Sequence, residues 1–193
     1  MLLQVKKFSE KLLLPLAKKI KKFPANYLTI LSLLCAVMVF LGFLLNWILL
    51  FLIFLFFTEL FDQLDGIVAR LQGPTRLGAF LDSTLDRLGD FFICIGIILG
   101  GYTDVYIGLI VLIGSFMTSY TRAKIEALGI NEMYGIGLLE RTDRIPILFI
   151  GSIFQLLFPK AIFWTMIFLA FGTVITSLQR IIYAYNKLSK RHE

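Results

Sequence analysis

Residues 59–90 read ELFDQLDGIVARLQGPTRLGAFLDSTLDRLGD, two apolar segments joined through the short polar turn Gln72, Gly73, Pro74 and Thr75. At about 100° per residue on a helix, Asp62 and Asp65 fall within roughly 60° of each other, and Gly66 and Ala69 share their stripe. Beyond the turn, Asp82 and Asp86 are separated by about 6 Å along the axis and about 40° around it, with Gly78 one turn before Asp82. The polar turn predicts that the two helices are antiparallel neighbours with their acidic ends on the same side.

Four carboxylates converging in a small volume repel one another and resist ionisation unless cations neutralise them. An all-oxygen donor set with no histidine or thiol selects hard divalent ions, Mg²⁺ or Mn²⁺. Four acids suffice for two ions about 4 Å apart, the arrangement that clamps a phosphoryl group. Gly66 and Gly78, lacking side chains, would let a phosphate-bearing substrate approach. Spacing alone leaves two other readings open: an acidic cluster on an ion or proton pathway, and static salt bridges to Arg70, Arg76 and Arg87.

Working outward, the chain has 193 residues, 58% of them apolar and 17% charged, with a mean hydropathy of +0.84. That composition leaves too little polar surface for a soluble globule. Set against a span of roughly 20 residues, the apolar runs predict helices near 27–45, 47–71, 76–100, 105–127, 144–158 and 161–186. The expected fold is an all-α integral membrane protein with six transmembrane helices, preceded by an N-terminal amphipathic interfacial helix. Residues 1–22 form the juxtamembrane element and 23–193 the membrane domain. In residues 2–22, Lys6, Lys7, Lys11, Lys18, Lys19, Lys21 and Lys22 accompany an apolar set. This reads as a surface helix broken near Pro15 and drawn to anionic headgroups.

With six spans, 18 of the 19 lysines and arginines fall on the side of the termini and only Lys160 falls opposite. The expectation is therefore a multi-pass cell-membrane protein with both termini and the acidic stripe in the cytoplasm. The charged ends of the second and third spans, carrying Asp62, Asp65, Arg70, Asp82, Asp86, Arg87 and Asp90, must leave the hydrocarbon or surround a wet cavity.

Smaller signals complete the reading. Cys35 and Cys94 lie in apolar runs and read as small hydrophobes, not as a disulfide or metal framework. His192 reads as a frayed terminal residue, leaving no imidazole for chemistry. No cleavable signal peptide is expected, since lysine alternates with leucine at the start. Gly96 and Gly100 form a small-residue pair suited to close helix packing. Asn26 and Thr29 read as a helix cap, Glu59 and Asp90 as extensions of the acidic stripes, and 126–143 as the long polar connection.

The joint pattern Asp62-xx-Asp65-Gly66-xx-Ala69-Arg70, seven residues, then Gly78-xxx-Asp82-xxx-Asp86 resembles the signature of the CDP-alcohol phosphatidyltransferases at each of its eight fixed positions. The six-helix layout and the basic surface helix are similar to that family as well. The resemblance implies transfer of a diacyl- or dialkylglycerol phosphate from a CDP-linked lipid to an alcohol, releasing CMP. It assigns Asp62, Asp65, Asp82 and Asp86 to two Mg²⁺ or Mn²⁺ ions, and Asp86 also to the general base that takes the acceptor's proton. Asp65, Gly66, Ala69, Arg70 and Gly78 would hold the cytidine and diphosphate. Membrane lipids and a second copy of the chain, as a homodimer, are the implied partners; no nucleic acid is expected.

For the acceptor, Arg122, Lys124, Arg141, Arg144 and Arg180 put fixed positive charge near the predicted cytoplasmic helix ends, which suits an anionic ligand such as a phosphorylated alcohol. Ordinary positive-inside topology, with salt bridges to Glu126, Glu140 and Asp143, would explain the same charges. Arg122 and Lys124 are about 200° apart on a regular helix and cannot both face one pocket unless the helix frays there, whereas Arg141 and Arg144 share a face. The segments SYTRAKIEALG, GLLERTDRI, ITSLQR and PTRLGAFLDSTLDR resemble the subgroup that makes phosphatidylinositol phosphate or archaetidylinositol phosphate from inositol 1-phosphate. On that resemblance Thr75 contacts the donor, and Arg122, Lys124, Arg141 and Arg180 grip the acceptor's phosphate. Glycerol 3-phosphate is the rival acceptor, and a small divalent-cation transporter the rival from another class.

Overall fold

The structure, a computed structural model, describes the backbone of residues 2–130 and 135–189. His192, Lys190 and Arg191 lie outside the described residues, as do the side chains of Lys6 and Lys7. All regular structure among the described residues is helical: α1 Leu2–Ile20, α2 Ala25–Leu44, α3 Ile48–Gln72, α4 Arg76–Leu99, α5 Val105–Ala127, α6 Arg141–Phe154 and α7 Ala161–Ser189. They group into two compact units, Met1–Gly96 and Ile97–Glu193.

Three helices, α2, α5 and α7, are long and apolar enough to cross a membrane. At 14 residues, α6 is about 21 Å long, short of a hydrocarbon layer of about 30 Å. The 25 and 24 residues of α3 and α4 carry the acidic stripe in one half of each helix. Leu34, Leu49, Ile53 and Phe80 in the first unit, and Ile113, Trp164, Phe171 and Ile182 in the second, are exposed large hydrophobics. Such apolar surface is at home against lipid.

In the first unit α2 is the packing hub. It lies along α3, where Phe43 stacks on Phe51 with ring centroids 4.1 Å apart. It also touches α4: a Cβ on Gly96 would stand 2.8 Å from the Phe40 Cα, and one on Gly89 would stand 3.5 Å from the Ala36 Cβ. Gly96 thus plays the close-packing part its spacing suggested, while Gly100 falls beyond the last helical residue of α4.

The surface helix departs from expectation in two ways. It is continuous through Pro15, because its middle is held by tertiary packing that outweighs one missing N–H. Its apolar set is also divided: Leu13, Leu14, Ala17 and Ile20 pack on Leu28, Leu64, Ile67 and Val68, while Leu12 and Leu16 remain exposed. Only part of α1 is therefore free for a headgroup layer; the rest docks on protein.

In the second unit α7 packs against both α5 and α6, through small hydroxylated residues. The Thr118 hydroxyl lies 3.2 Å from that of Ser177, and Ser177 also donates to Gly114 O at 3.1 Å. A Cβ on Gly114 would meet Thr173 Cβ at 2.8 Å, so these backbones approach in the small-residue manner of helices in lipid. Asp104 caps α5, accepting from Tyr106 N at 2.8 Å. The helix α6 begins three residues before its apolar run, since Glu140 N donates to Asp143 Oδ2 at 2.9 Å across its first turn. Cys35 and Cys94 are buried and unbridged.

Candidate active site

In the first unit, Asp62 on α3 and Asp82 and Asp86 on α4 each offer a carboxylate oxygen, all within 4.8 Å of one another, and each residue is half-buried. The i, i+4 spacing on α4 and the position of Asp62 in the second half of α3, beyond its apolar run, produce this meeting of the two acidic stripes. Close packing of the helices themselves comes from α2 on α3. Hard divalent ions hold oxygens at about 2.1 Å, hence about 4 Å between opposite ligands. Neighbouring ligands stand about 3 Å apart, so the three carboxylates could converge on one ion by side-chain rotation, and nothing softer than oxygen is present among them.

Asp65 stands outside this group of three. It is 3% exposed, its Oδ2 is buried without a hydrogen-bond partner, and the Thr29 hydroxyl of α2 and the charges of Asp62 and Asp82 surround it. A buried carboxylate oxygen left unmatched costs several kcal/mol unless a cation meets it or a proton neutralises it. Asp65 is thus a fourth donor suited to a cation. Glu59 accepts from Gln63 Nε2 at 2.7 Å, and neither Glu59 nor Asp90 belongs to the group of three.

Asn26 and Thr29 do not cap α2. Pro24 holds the cap position, with no side-chain bond, and Thr29 donates to Ala25 O at 3.3 Å within the helix. The two side chains lie instead beside motif residues of α3 and α4. Thr29 lies beside Asp65, and Asn26 Oδ1 would be 3.2 Å from a Cβ on Gly78. Gly78 N donates to Thr75 Oγ1 at 3.0 Å, so Thr75 caps α4 while its own hydroxyl proton stays available to a ligand. Arg70 donates through Nη2 to Glu10 Oε1 of α1 at 3.1 Å. Arg87 Nη1 reaches Ser83 O at 2.6 Å and Asp86 Oδ2 at 3.5 Å.

In the second unit, Arg180 is 3% exposed and Arg144 5% exposed. Arg180 donates through Nε to Ile136 O at 2.8 Å, through Nη1 to Thr118 O at 2.9 Å, and through Nη2 to Glu140 Oε1 at 3.1 Å. It therefore ties α7 to α5 and to the segment leading into α6, helped by Leu139 N on Thr176 Oγ1 at 2.9 Å. The charges around it are Glu140, Arg122, Arg144 and Glu126. Arg122 pairs with Glu126 at 2.8 Å. Arg144 Nη1 and Arg141 Nε are buried donor atoms without a hydrogen-bond partner, although each residue has other interactions.

Of the five basic residues singled out, Arg122, Arg144 and Arg180 are thus gathered, Arg141 is half-buried one turn before Arg144, and Lys124 is exposed. The 200° between Arg122 and Lys124 has that consequence. Sequence reasoning missed Asn26, Thr29, Glu10 and Gln72, whose partners are all distant in the chain.

Among the described residues the chain is all helical, with carboxylates on α3 and α4 placed to hold a divalent cation and three helices apolar enough to cross a membrane. A family model for CDP-alcohol phosphatidyltransferase matches residues 23–178, and the chain belongs to that enzyme family. It is 39% identical over 176 residues to the archaetidylinositol phosphate synthase of Methanothermobacter thermautotrophicus, covering 90% of this chain and 89% of that protein. To the phosphatidylinositol phosphate synthase of Mycolicibacterium smegmatis it is 41% identical over 138 residues, 65% of this chain and 60% of that one. Its fold is similar to that of Mycobacterium tuberculosis phosphatidylinositol phosphate synthase with CDP-DAG bound, at a TM-score of 0.79 and 30% identity over 91% of this chain and 94% of that one. The same protein in complex with manganese and citrate gives 0.77 and 31%, over 89% and 88%. Membership in an enzyme family replaces the ion-pathway and transporter readings of the acidic stripe.

Proposed function

We propose that this protein transfers the phosphatidyl or archaetidyl group of a CDP-linked lipid to a hydroxyl of an inositol phosphate, releasing CMP. The observation that carries the reading is the meeting of Asp62, Asp82 and Asp86 within 4.8 Å on the family's motif. The named activities of the relatives from Methanothermobacter and Mycolicibacterium support the acceptor.

Asp62, Asp65, Asp82 and Asp86 would hold Mg²⁺ or Mn²⁺, two ions for the four acids. When bound, divalent metal polarises the donor's phosphate and stabilises the charge on departing CMP. Asp86 accepts the proton of the acceptor hydroxyl. That oxygen forms a bond to the lipid-side phosphorus, and the bond from this phosphorus to CMP breaks, its electron pair leaving with CMP. Gly66, Ala69 and Gly78 give the nucleotide room, the Thr75 hydroxyl donates to it, and Arg70 meets the diphosphate. Arg122, Arg144 and Arg180 hold the acceptor's phosphate, with Arg141 beside them; Lys124, exposed, serves the headgroup layer.

The donor's tails stay in the bilayer, which supports a multi-pass cell-membrane protein of six spans with its site and both termini cytoplasmic. On this reading α3, α4 and α6 complete the spans by virtue of neighbours and wet surroundings at their charged ends. Residues 1–22 form the juxtamembrane element, 23–193 form the membrane domain, and the working assembly is a homodimer. Purified protein given CDP-linked lipid, Mg²⁺ and a panel of alcohols is expected to release CMP with inositol 1-phosphate, and not with glycerol 3-phosphate or serine. Release with glycerol 3-phosphate alone would replace the acceptor, and release with none would remove the reading.

A further inference from the structure

We propose that Glu10, on the surface helix α1, positions Arg70 for the diphosphate of the donor, so that α1 forms part of the donor site. The inference rests on the reading of Arg70 as a donor ligand. Arg70 Nη2 donates to Glu10 Oε1 at 3.1 Å. Nη1 of the same guanidinium lies 3.5 Å from where a Cβ on Gly66 would stand. The planar group is thus drawn over the bare backbone of the motif glycine, with one edge on the Glu10 carboxylate and the other turned to Gly66.

An arginine side chain is long and its freedom costs about 2 kcal/mol to remove. Nothing on α3 itself pins this one, whose side chain is 57% exposed, so its orientation depends on the partner from α1. The pair is too exposed to matter much for stability. Its consequence is a guanidinium already aimed before the donor arrives, which lowers the ordering cost of binding.

Two anchors keep Glu10 in register with Arg70. The first is the docking of Leu13, Leu14, Ala17 and Ile20 against Leu64, Ile67 and Val68 of α3. The second is Gln72, at the end of α3, whose amide nitrogen donates to Lys21 O at 2.8 Å and Phe23 O at 2.6 Å. Its Oε1 accepts from Ala25 N at 3.2 Å. Gln72 thereby clasps the turn between α1 and α2 onto the motif helix. A segment that looks like a lipid anchor is held in fixed register with the donor site.

The full chain, reconstituted with lipid, carries the experiment, with donor KM, acceptor KM and kcat measured for Glu10→Gln, Glu10→Asp, Arg70→Ala and the Glu10→Gln/Arg70→Ala double variant. Glu10→Gln should raise donor KM about fivefold with kcat and acceptor KM unchanged, the pattern of lost uniform binding. Glu10→Asp should recover most of that loss, and Glu10→Gln should add nothing on Arg70→Ala. A wild-type donor KM in Glu10→Gln, an equal loss of kcat and of binding for both substrates, or a full effect in the Arg70→Ala background would overturn the proposal. An unchanged donor KM in Arg70→Ala would instead remove Arg70 from the donor site, and the proposal with it.

Discussion

Asp86→Asn should lower kcat, measured at saturating metal and donor, by about a hundred- to ten-thousandfold, the range of general acid–base catalysis. Asparagine keeps the shape and one oxygen at that position but cannot take up a proton at neutral pH. Asp86 sits on α4 within 4.8 Å of Asp62 and Asp82, with Arg87 Nη1 at 3.5 Å, which on the proposed reading gives its carboxylate a part in both cation binding and proton transfer. Single-turnover release of CMP under saturating donor and acceptor reads the chemical step apart from binding. A variant with full turnover would strip Asp86 of the base's role, and Asp62, Asp82 and Asp65 would remain as a metal site only.

Arg180→Ala should have the second large effect, on two readouts at once. The arginine is 3% exposed and satisfies two backbone carbonyls and the Glu140 carboxylate. Its removal leaves Ile136 O and Thr118 O without their donor and Glu140, whose side chain is 30% exposed, without its partner, a loss of about 1–3 kcal/mol. The melting temperature should fall, and acceptor KM should rise by more than about tenfold while donor KM stays within twofold. Glu140→Gln separates the contributions, since it keeps an acceptor for Arg180 but not the charge. That variant should lose stability modestly and keep acceptor use near wild type. If Arg180→Ala lowers donor and acceptor binding equally, the arginine is a strut of the fold and not a phosphate ligand.

Much of this was legible beforehand, for identifiable reasons. An apolar run ends where charges begin, so α2, α3, α4 and α5 lie within three residues of their expected limits. For α6 the end, at Phe154, falls four residues short of its expected limit, while its start comes three residues early because the Glu140 and Asp143 cap chemistry precedes the apolar run that marks a span. The convergence of Asp62, Asp82 and Asp86 follows from helical periodicity across a three-residue turn, and periodicity is a local property. The separation of Asp65 from that trio was not legible, because its surroundings come from Thr29 on a different helix.

The same distinction explains the errors. Pro15 is a breaker by local rules, yet α1 runs through it because Ala17 and Ile20 are packed on α3. Asn26 and Thr29 look like caps beside Pro24, and their real neighbours, Gly78 and Asp65, lie about 50 and 35 residues along the chain. Among the basic residues, angular spacing correctly set Lys124 apart from Arg122. No spacing rule could show that Ile136 O and Thr118 O meet one guanidinium, because the connection between α5 and α6 has no period to read.

The account depends most on oxygens of Asp62, Asp65, Asp82 and Asp86 binding divalent metal. Crystals of the protein soaked in Mn²⁺ and measured at the manganese absorption edge address it directly. Anomalous density is expected among these carboxylates, with manganese about 2.1 Å from their oxygens, and it should vanish in Asp82→Asn. Manganese found only elsewhere on the protein, or unaltered density in that variant, would contradict the account.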